Sequence, residues 1–457
     1  MNDTIAAIST PFGEGAIAVI RLSGGHAIEI ADDVFRAKAR ASELPVRVQQ
    51  FGAIFDADRK LDDVLLSVHR APASYTGEDV VEIACHGGVL VTRRILELLL
   101  ARGARSAEPG EFTQRAYLHG KMDLTQAEAV MDLISAQTDL ALRAASEQLE
   151  GRLGARIRGL REALIELLAH VEAYIDFPDE DIDPDTGEAL LMKLDAVRAE
   201  IEALLATAGR GRVLREGVRT VIFGEPNVGK SSLLNVLLGY ERAIVSERPG
   251  TTRDTIEEVI DLCGFPLRLV DTAGVRESND DIEREGMERT RRQVERADLV
   301  LHVVDASKPG GMRSCASGGS AAVPGVWDAR ERVPPIMVLN KVDLGEHANW
   351  RGVEGVRLSC LKGEGIEALS EAIVAHITGG QAAHRDWTVP INARHQACLQ
   401  TAQKLANAAR EAFTAGLSPE FVAEDLRGAL DAVGEIVGKA DSEEILGKIF
   451  STFCIGK

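Results

Sequence analysis

No apolar run in this 457-residue chain approaches a membrane span, and Met1-Asn2-Asp3-Thr4 forms no basic leader. The first apolar stretch is cut by Pro11, Gly13 and Gly15, so a cytoplasmic protein with no membrane contact is expected. Cysteine is sparse: six residues, at 85, 263, 315, 360, 398 and 454, with no C-x-x-C pair. That spacing argues against a zinc site or a disulfide framework and suits reduced, mostly structural thiols. Positive charge is also short, 52 Lys and Arg against 71 Asp and Glu, a net charge of −19. Such a balance opposes broad contact with a phosphate backbone, so a nucleic-acid partner would be met locally or through another protein. What is present is 45% hydrophobic content in a length that suits about three domains.

The organising stretch is Gly224-Glu225-Pro226-Asn227-Val228-Gly229-Lys230-Ser231-Ser232, between the apolar run Val218 to Phe223 and the helical pattern from Leu233 to Leu238. A G-x-x-x-x-G-K-S loop between strand and helix cradles phosphate: glycines let backbone N–H groups close on an anion, and the helix N-terminus adds its dipole. Lys230 would reach the outer phosphates and the Ser231 hydroxyl would ligate magnesium. Arg248-Pro249-Gly250-Thr251-Thr252-Arg253-Asp254 follows, just after Ser246-Glu247, as a switch-loop candidate in which a threonine could complete the magnesium shell when a γ-phosphate is present. After the apolar Leu267 to Val270 comes Asp271-Thr272-Ala273-Gly274, with Asp271 placed for the metal's water shell and Gly274 N–H for the γ-phosphate. Ile336 to Leu339 leads into Asn340-Lys341-Val342-Asp343, whose terminal carboxylate can accept from guanine N1–H and its exocyclic amine, a pairing adenine cannot make. Ser359-Cys360-Leu361 adds backbone donors near the base. These motifs in this order specify a GTPase binding GTP and GDP.

Ras-like enzymes carry a glutamine after the Gly274 position, but Val275 stands here and cannot orient water. Residues 276–286 offer five carboxylates, and residue chemistry alone does not choose among them. Residues 308–328, with five glycines and no periodic apolar face, are expected to be a disordered insertion.

The remaining chain reads as mixed α/β over 1–118, from apolar runs Ala16 to Leu22, Val64 to Val68 and Val80 to Ala84 and helical patterns at 26–37 and 89–102. The glycines beside polar residues at Ser74-Tyr75-Thr76-Gly77-Glu78-Asp79, His86-Gly87-Gly88 and Pro109-Gly110-Glu111-Phe112-Thr113 could frame a small-molecule pocket, although ordinary turns explain them as well. His86 lacks a partner at metal-ligand spacing and reads as structural. Helical spacing fills 122–176, and a further helix is expected to end near Gly209. Between them, 176–185 carries six carboxylates without the glycine and glutamate of a calcium loop, and is expected to be a solvated linker. The expected domains are 1–118, a helical domain over 119–215 and 379–457, and an inserted P-loop G domain over 216–378.

The ending Phe453-Cys454-Ile455-Gly456-Lys457, Gly77-Glu78-Asp79 with His86-Gly87-Gly88, Pro109-Gly110-Glu111-Phe112, Asp176-Phe177-Pro178-Asp179-Glu180 and the GTPase motifs together resemble the MnmE (TrmE) family of tRNA modification GTPases. The likeness covers nearly the whole chain; the 308–328 segment looks longer and more glycine-rich than the family's loop there. It implies an α/β N-terminal folate-binding domain that dimerises, a discontinuous helical bundle, and an inserted Ras-like G domain. Members of the family act with the FAD-dependent partner MnmG (GidA) to place an aminomethyl or carboxymethylaminomethyl group on C5 of the tRNA wobble uridine. Carried over by motif, 5-formyltetrahydrofolate or a related folate would meet Arg21, Glu82, Lys121 and Lys457. Asn227, Ser246, Arg248 and Thr251 would hold K+, Ser231 and Thr252 would hold Mg2+, and Glu283 would be the catalytic acid that orients water. A stand-alone ribosome-assembly GTPase similar to Era or Der is the alternative, and a folate enzyme regulated by GTP is a third.

Overall fold

The computed structural model describes residues 3–176, 187–240, 243–244, 258–270, 293–309, 334–380, 390–438 and 443–456. They form two compact bodies, one built from residues 1–131, 148–198 and 398–457 and the other from 132–147 and 199–397.

The first body contains a seven-stranded sheet in the order β3-β4-β5-β6-β2-β1-β7. Its strands are β1 (Ile5–Ile8), β2 (Gly15–Ser23), β3 (Phe35–Ala37), β4 (Gln49–Asp56), β5 (Arg59–His69), β6 (Val80–Gly87) and β7 (Arg105–Ser106). Period-two alternation sends Ala18, Ile20, Leu22, Val81, Ile83 and Cys85 to one face, where the helices Ala27–Val34 and Val89–Ala101 cover them. The opposite face keeps Ile17 (66% exposed) and Phe51 (64%) in the open beside Arg21 and Glu82, which sit opposite each other in the β2–β6 ladder. The helical pattern of 26–37 stops at Val34, and Phe35–Ala37 instead pairs with β4 as the edge strand. Phe35 explains the change, since its ring occupies the space a Cβ on Gly52 would need.

The helical part of this body packs Arg152–Asp176, through Ile157, Leu160, Leu164, Leu167 and Val171, on Pro419–Val437, which buries Val422, Leu426, Val433 and Ile436. The helix Glu443–Phe450 then sets Leu446, Phe450 and Phe453 on Leu124 and Ala127. The chain end returns to its beginning: Gly110 N donates to Cys454 O (3.4 Å), Ile455 bridges Pro109, and Ser9 Oγ donates to Gly456 O (3.1 Å).

In the second body the strands are β8 (Val218–Phe223), β9 (Ala243–Ile244), β10 (Glu258–Leu262), β11 (Phe265–Leu269), β12 (Leu299–Asp305), β13 (Ile336–Asn340) and β14 (Val356–Arg357). They run in the order β14-β13-β12-β8-β11-β10-β9, parallel from β14 to β11 with β10 antiparallel. Continuous burial of Leu299, Val300, Leu301 and Val303 fits a strand covered on both faces. One helical expectation fails: the helix beginning at Gly187 ends at Leu205, and Gly209 lies inside a second helix, Ala208–Glu216. Glycine is required two residues on, where Ile391 O fills the position of a Cβ on Gly211. Gly211 therefore serves close packing, while Gly217, φ 77°, caps the end of that second helix.

Candidate functional site

Strand β8 lies between parallel neighbours β11 and β12, so its following loop opens at the carboxyl edge of the sheet, the usual ligand edge of such folds. Both glycines of the phosphate loop are imposed by contact. Val303 O fills the place of a Cβ on Gly224, and Asn340 Nδ2 fills that of Gly229, whose φ is +103°. Asn227 also takes a left-handed backbone, φ 63°, uncommon for a residue with a side chain. Lys230 opens the helix Lys230–Tyr240, with Ser231 and Ser232 exposed in its first turn, where the helix dipole favours anions. The Lys230 ammonium donates to Gly224 O (2.9 Å) and Glu225 O (2.8 Å), and burial lowers its pKa.

The base-side residues come from the ends of β13 and β14. Asn340 is 2% exposed; its Nδ2 donates to Val228 O (2.9 Å) and its Oδ1 accepts from Cys360 N (3.2 Å). It braces the phosphate loop against the Ser359-Cys360-Leu361 turn. Lys341, φ 65°, sends Nζ to Asn227 O (2.7 Å) and to Asp305 Oδ2 (2.7 Å). Asp343 lies half-buried in the 3-10 turn Val342–Leu344. Ser359 is buried and its Oγ accepts from Lys362 N, while Leu361 is exposed. Burial pushes the Cys360 thiol up to about 11, so it stays neutral and serves as packing.

Asp305 had no place in the sequence reading, although one signal existed: an acidic residue closes the buried run of β12, as Asn340 closes β13. Ser246, Glu247, Arg248, Pro249, Gly250, Thr251, Thr252, Asp271, Thr272, Ala273, Gly274, Glu283 and Lys457 lie outside the described residues, as do 177–186 and 310–333.

A second polar cluster lies in the first body. Arg21 donates through Nε (2.9 Å) and Nη2 (2.7 Å) to Glu82 Oε1, and its guanidinium stands 5.6 Å from the Tyr75 ring centre and 5.7 Å from that of Phe112. Lys121 Nζ donates to Pro72 O (2.9 Å), in the same β5–β6 connection that carries Tyr75. Gly456, the last described residue, is bonded to Ser9.

Glu78 and Glu111, which looked like turn residues, instead belong to a buried charge network. Arg115, 1% exposed, meets Glu78 (3.1 Å), Glu111 (2.9 Å) and Asp3 (2.9 Å). The exposed His86 ring bonds Asp62 at 2.7 Å. Among the described residues, no group of three or more His, Cys, Asp and Glu is placed to hold a metal.

A family model described as the MnmE helical domain matches residues 124–454, and one described as the GTP-binding protein TrmE N-terminus matches residues 4–121. The chain belongs to the MnmE (TrmE) family. It is 52% identical to the tRNA modification GTPase MnmE of Akkermansia muciniphila over 99% of both chains. It is 46% identical to the proteins of that name from Aquifex aeolicus and Bacillus subtilis, over the full length of each pair. An MnmE-family chain thus joins an α/β N-terminal domain, a helical domain and a P-loop domain.

The MnmE donor sets can be matched to ligand chemistry. Glu82 Oε1 takes both Arg21 bonds, while Oε2, with His69 Nε2 at 4.0 Å, makes no hydrogen bond as short as those and can accept from a further donor beside two aromatic rings. An acceptor among flat rings suits a planar nitrogen heterocycle with N–H edges. At the phosphate loop, an exposed Ser231 hydroxyl at a helix start is an oxygen donor of the kind a hard divalent cation takes.

Proposed function

We propose that this MnmE-family chain hydrolyses GTP in the service of tRNA modification. The observation that carries the reading is the brace of Asn340 and Lys341 on Val228 O and Asn227 O, which makes the phosphate loop and the guanine loop one unit. In that unit the chain's own groups have separable tasks. Loop N–H groups and Lys230 neutralise the phosphates, and Asp343 selects guanine by accepting from its N1–H and amine. Ser231 with Thr252 would hold Mg2+, and Asn227 with Ser246, Arg248 and Thr251 would hold K+. The monovalent ion would supply positive charge beside the phosphates, where other GTPases use an arginine. Glu283 would orient the water that Val275 cannot.

The modification chemistry belongs to the N-terminal domain and a partner. Arg21, Glu82, Lys121 and Lys457 would bind 5-formyltetrahydrofolate or a related folate as one-carbon source. MnmG (GidA) would act in the same complex on C5 of the wobble uridine. The open apolar side chains Ile17 and Phe51, on the part of that sheet face left exposed, favour a second copy of the chain as its cover, hence a homodimer.

Two measurements test this. GTP hydrolysis by the full chain is expected to run much faster in KCl than in NaCl. Mass spectrometry of wobble uridines from cells lacking the protein is expected to show loss of the C5 aminomethyl-type groups. Unchanged uridines would favour a ribosome-assembly role, and equal rates in the two salts would remove potassium from the mechanism.

A further inference from the structure

Asp305 closes β12 at the edge where β13 delivers Asn340 and Lys341, and it stands in register opposite Asn340. Its carboxylate is 7% exposed, and every bond it makes is directed. Oδ1 accepts from Ser307 Oγ (2.6 Å) and Ser307 N (3.1 Å), while Oδ2 accepts from Lys341 Nζ (2.7 Å). Burial alone would push the carboxyl up, but the bonds from Lys341 and Ser307 outweigh it and hold the group below the ordinary carboxylate range. Lys308 Nζ adds positive charge at 3.8 Å.

The second acceptor of the Lys341 ammonium is Asn227 O at 2.7 Å. Lys341 and Asn227 both hold left-handed backbones, φ 65° and 63°, a conformation that is costly for lysine and better tolerated by asparagine. One ammonium therefore ties together the two left-handed points of the nucleotide site. An ammonium on a four-carbon stem has no fixed direction of its own. The ionised Asp305, anchored by Ser307, gives it one.

We propose that Asp305 is a positioning residue that acts through Lys341 on Asn227, so that one buried carboxylate sets both how long guanine nucleotide is retained and how hydrolysis responds to monovalent cation. The cation half rests on the potassium reading above; the retention half does not. Asp305→Asn removes the charge while keeping the shape. The ammonium loses a charge-assisted bond, and the carbonyl of Asn227 loses a fixed donor.

The test is a double-mutant cycle on the full chain, with Asp305→Asn, Lys341→Met and the pair together. Release of a fluorescent GDP analogue is read after chase with unlabelled GDP. Loss of a charged hydrogen bond predicts release faster by about tenfold in Asp305→Asn. The same substitution is expected to add less than about twofold in the Lys341→Met background, because the effect travels through that ammonium. Hydrolysis titrated with KCl is expected to show a several-fold higher half-saturating concentration in Asp305→Asn. A merely structural carboxylate would lower stability in both backgrounds equally, so full additivity overturns the proposal, as does wild-type release by Asp305→Asn. Should Asp305→Asn fold poorly by circular dichroism, Asp305→Glu enters the same cycle under the same criterion. Equal wild-type rates in KCl and NaCl would sink the potassium reading alone, with the release cycle still deciding the role of Asp305.

Discussion

Replacing Arg115 by Met isolates the buried charge network of the N-terminal sheet. The guanidinium is 1% exposed and bonds Glu78 (11% exposed) and Glu111 (5% exposed) at 3.1 and 2.9 Å. Methionine fills much of the same space but leaves two buried carboxylates facing each other with less compensation. Glu111 keeps Arg105 at 2.6 Å and Glu78 keeps the Ser23 hydroxyl at 2.7 Å. Breaking a buried ion pair from one side costs about 3–5 kcal/mol, and the surviving bonds place this case near the lower end. The pH dependence has a definite sign. Burial pushes the Glu111 carboxyl up, yet hydrogen bonds from Arg105, the Glu108 amide and Arg115 hold it below the ordinary carboxylate value. Its stabilising contribution is therefore present above the unfolded carboxylate pKa and lost as pH falls through the folded one. In Arg115→Met the carboxyl loses one of those bonds while remaining buried, so its protonation comes at higher pH than in the wild type and the penalty shrinks as pH falls. Hydrogen exchange on peptides covering Gly15–Ser23 and Val80–Gly87 of the full chain reads the local free energy directly. A loss below about 1 kcal/mol at pH 7, or a penalty that grows on acidification, would refute this account of the network.

The other substitutions probe the two candidate sites. Asp343→Asn is expected to weaken GTP and favour xanthosine triphosphate, and competition binding with unchanged guanine preference would remove Asp343 from base reading. Gly229→Ala forces a Cβ into Asn340 Nδ2 at φ +103°. It should cost about 1–3 kcal/mol of nucleotide binding, read by calorimetry. Glu82→Gln keeps the size of the side chain but halves its acceptors, and is expected to weaken 5-formyltetrahydrofolate by about tenfold in equilibrium dialysis while GTP hydrolysis stays at the wild-type rate.

The phosphate loop was legible because its chemistry fixes residue types at fixed spacing, and strand β8 and the helix from Lys230 stand where its flanks required. The positions of β2, β5 and β6 followed from their apolar runs, while which of their side chains face the core came from the structure. Features built from distant partners were not legible. Arg115 meets Glu78 and Asp3 across 37 and 112 residues, so Gly77-Glu78-Asp79 and Pro109-Gly110-Glu111 looked like plain turns. Asp305 meets Lys341 across 36 residues, and no local pattern marks that pairing. Gly209 misled because a glycine after a periodic run resembles a helix cap. Here Gly209 lies inside the next helix with open space around it, and it is Gly211 that makes room for a carbonyl arriving from Ile391, a neighbour that local periodicity does not reveal.

The return of Cys454-Ile455-Gly456 to the first strand has a consequence in time. Ser9 and Gly456 are 447 residues apart, and ribosomes add roughly 5–20 residues per second, so Ser9 waits about 20–90 s for that partner during synthesis. The seven-stranded sheet uses no residue beyond Ser106 and can form early. The Pro109–Gly110 turn, by contrast, stays unsealed until the helix Glu443–Phe450 has carried the last residues back to it. A nascent chain that has not yet reached Cys454 would carry a finished sheet beside an open Pro109–Gly110 turn.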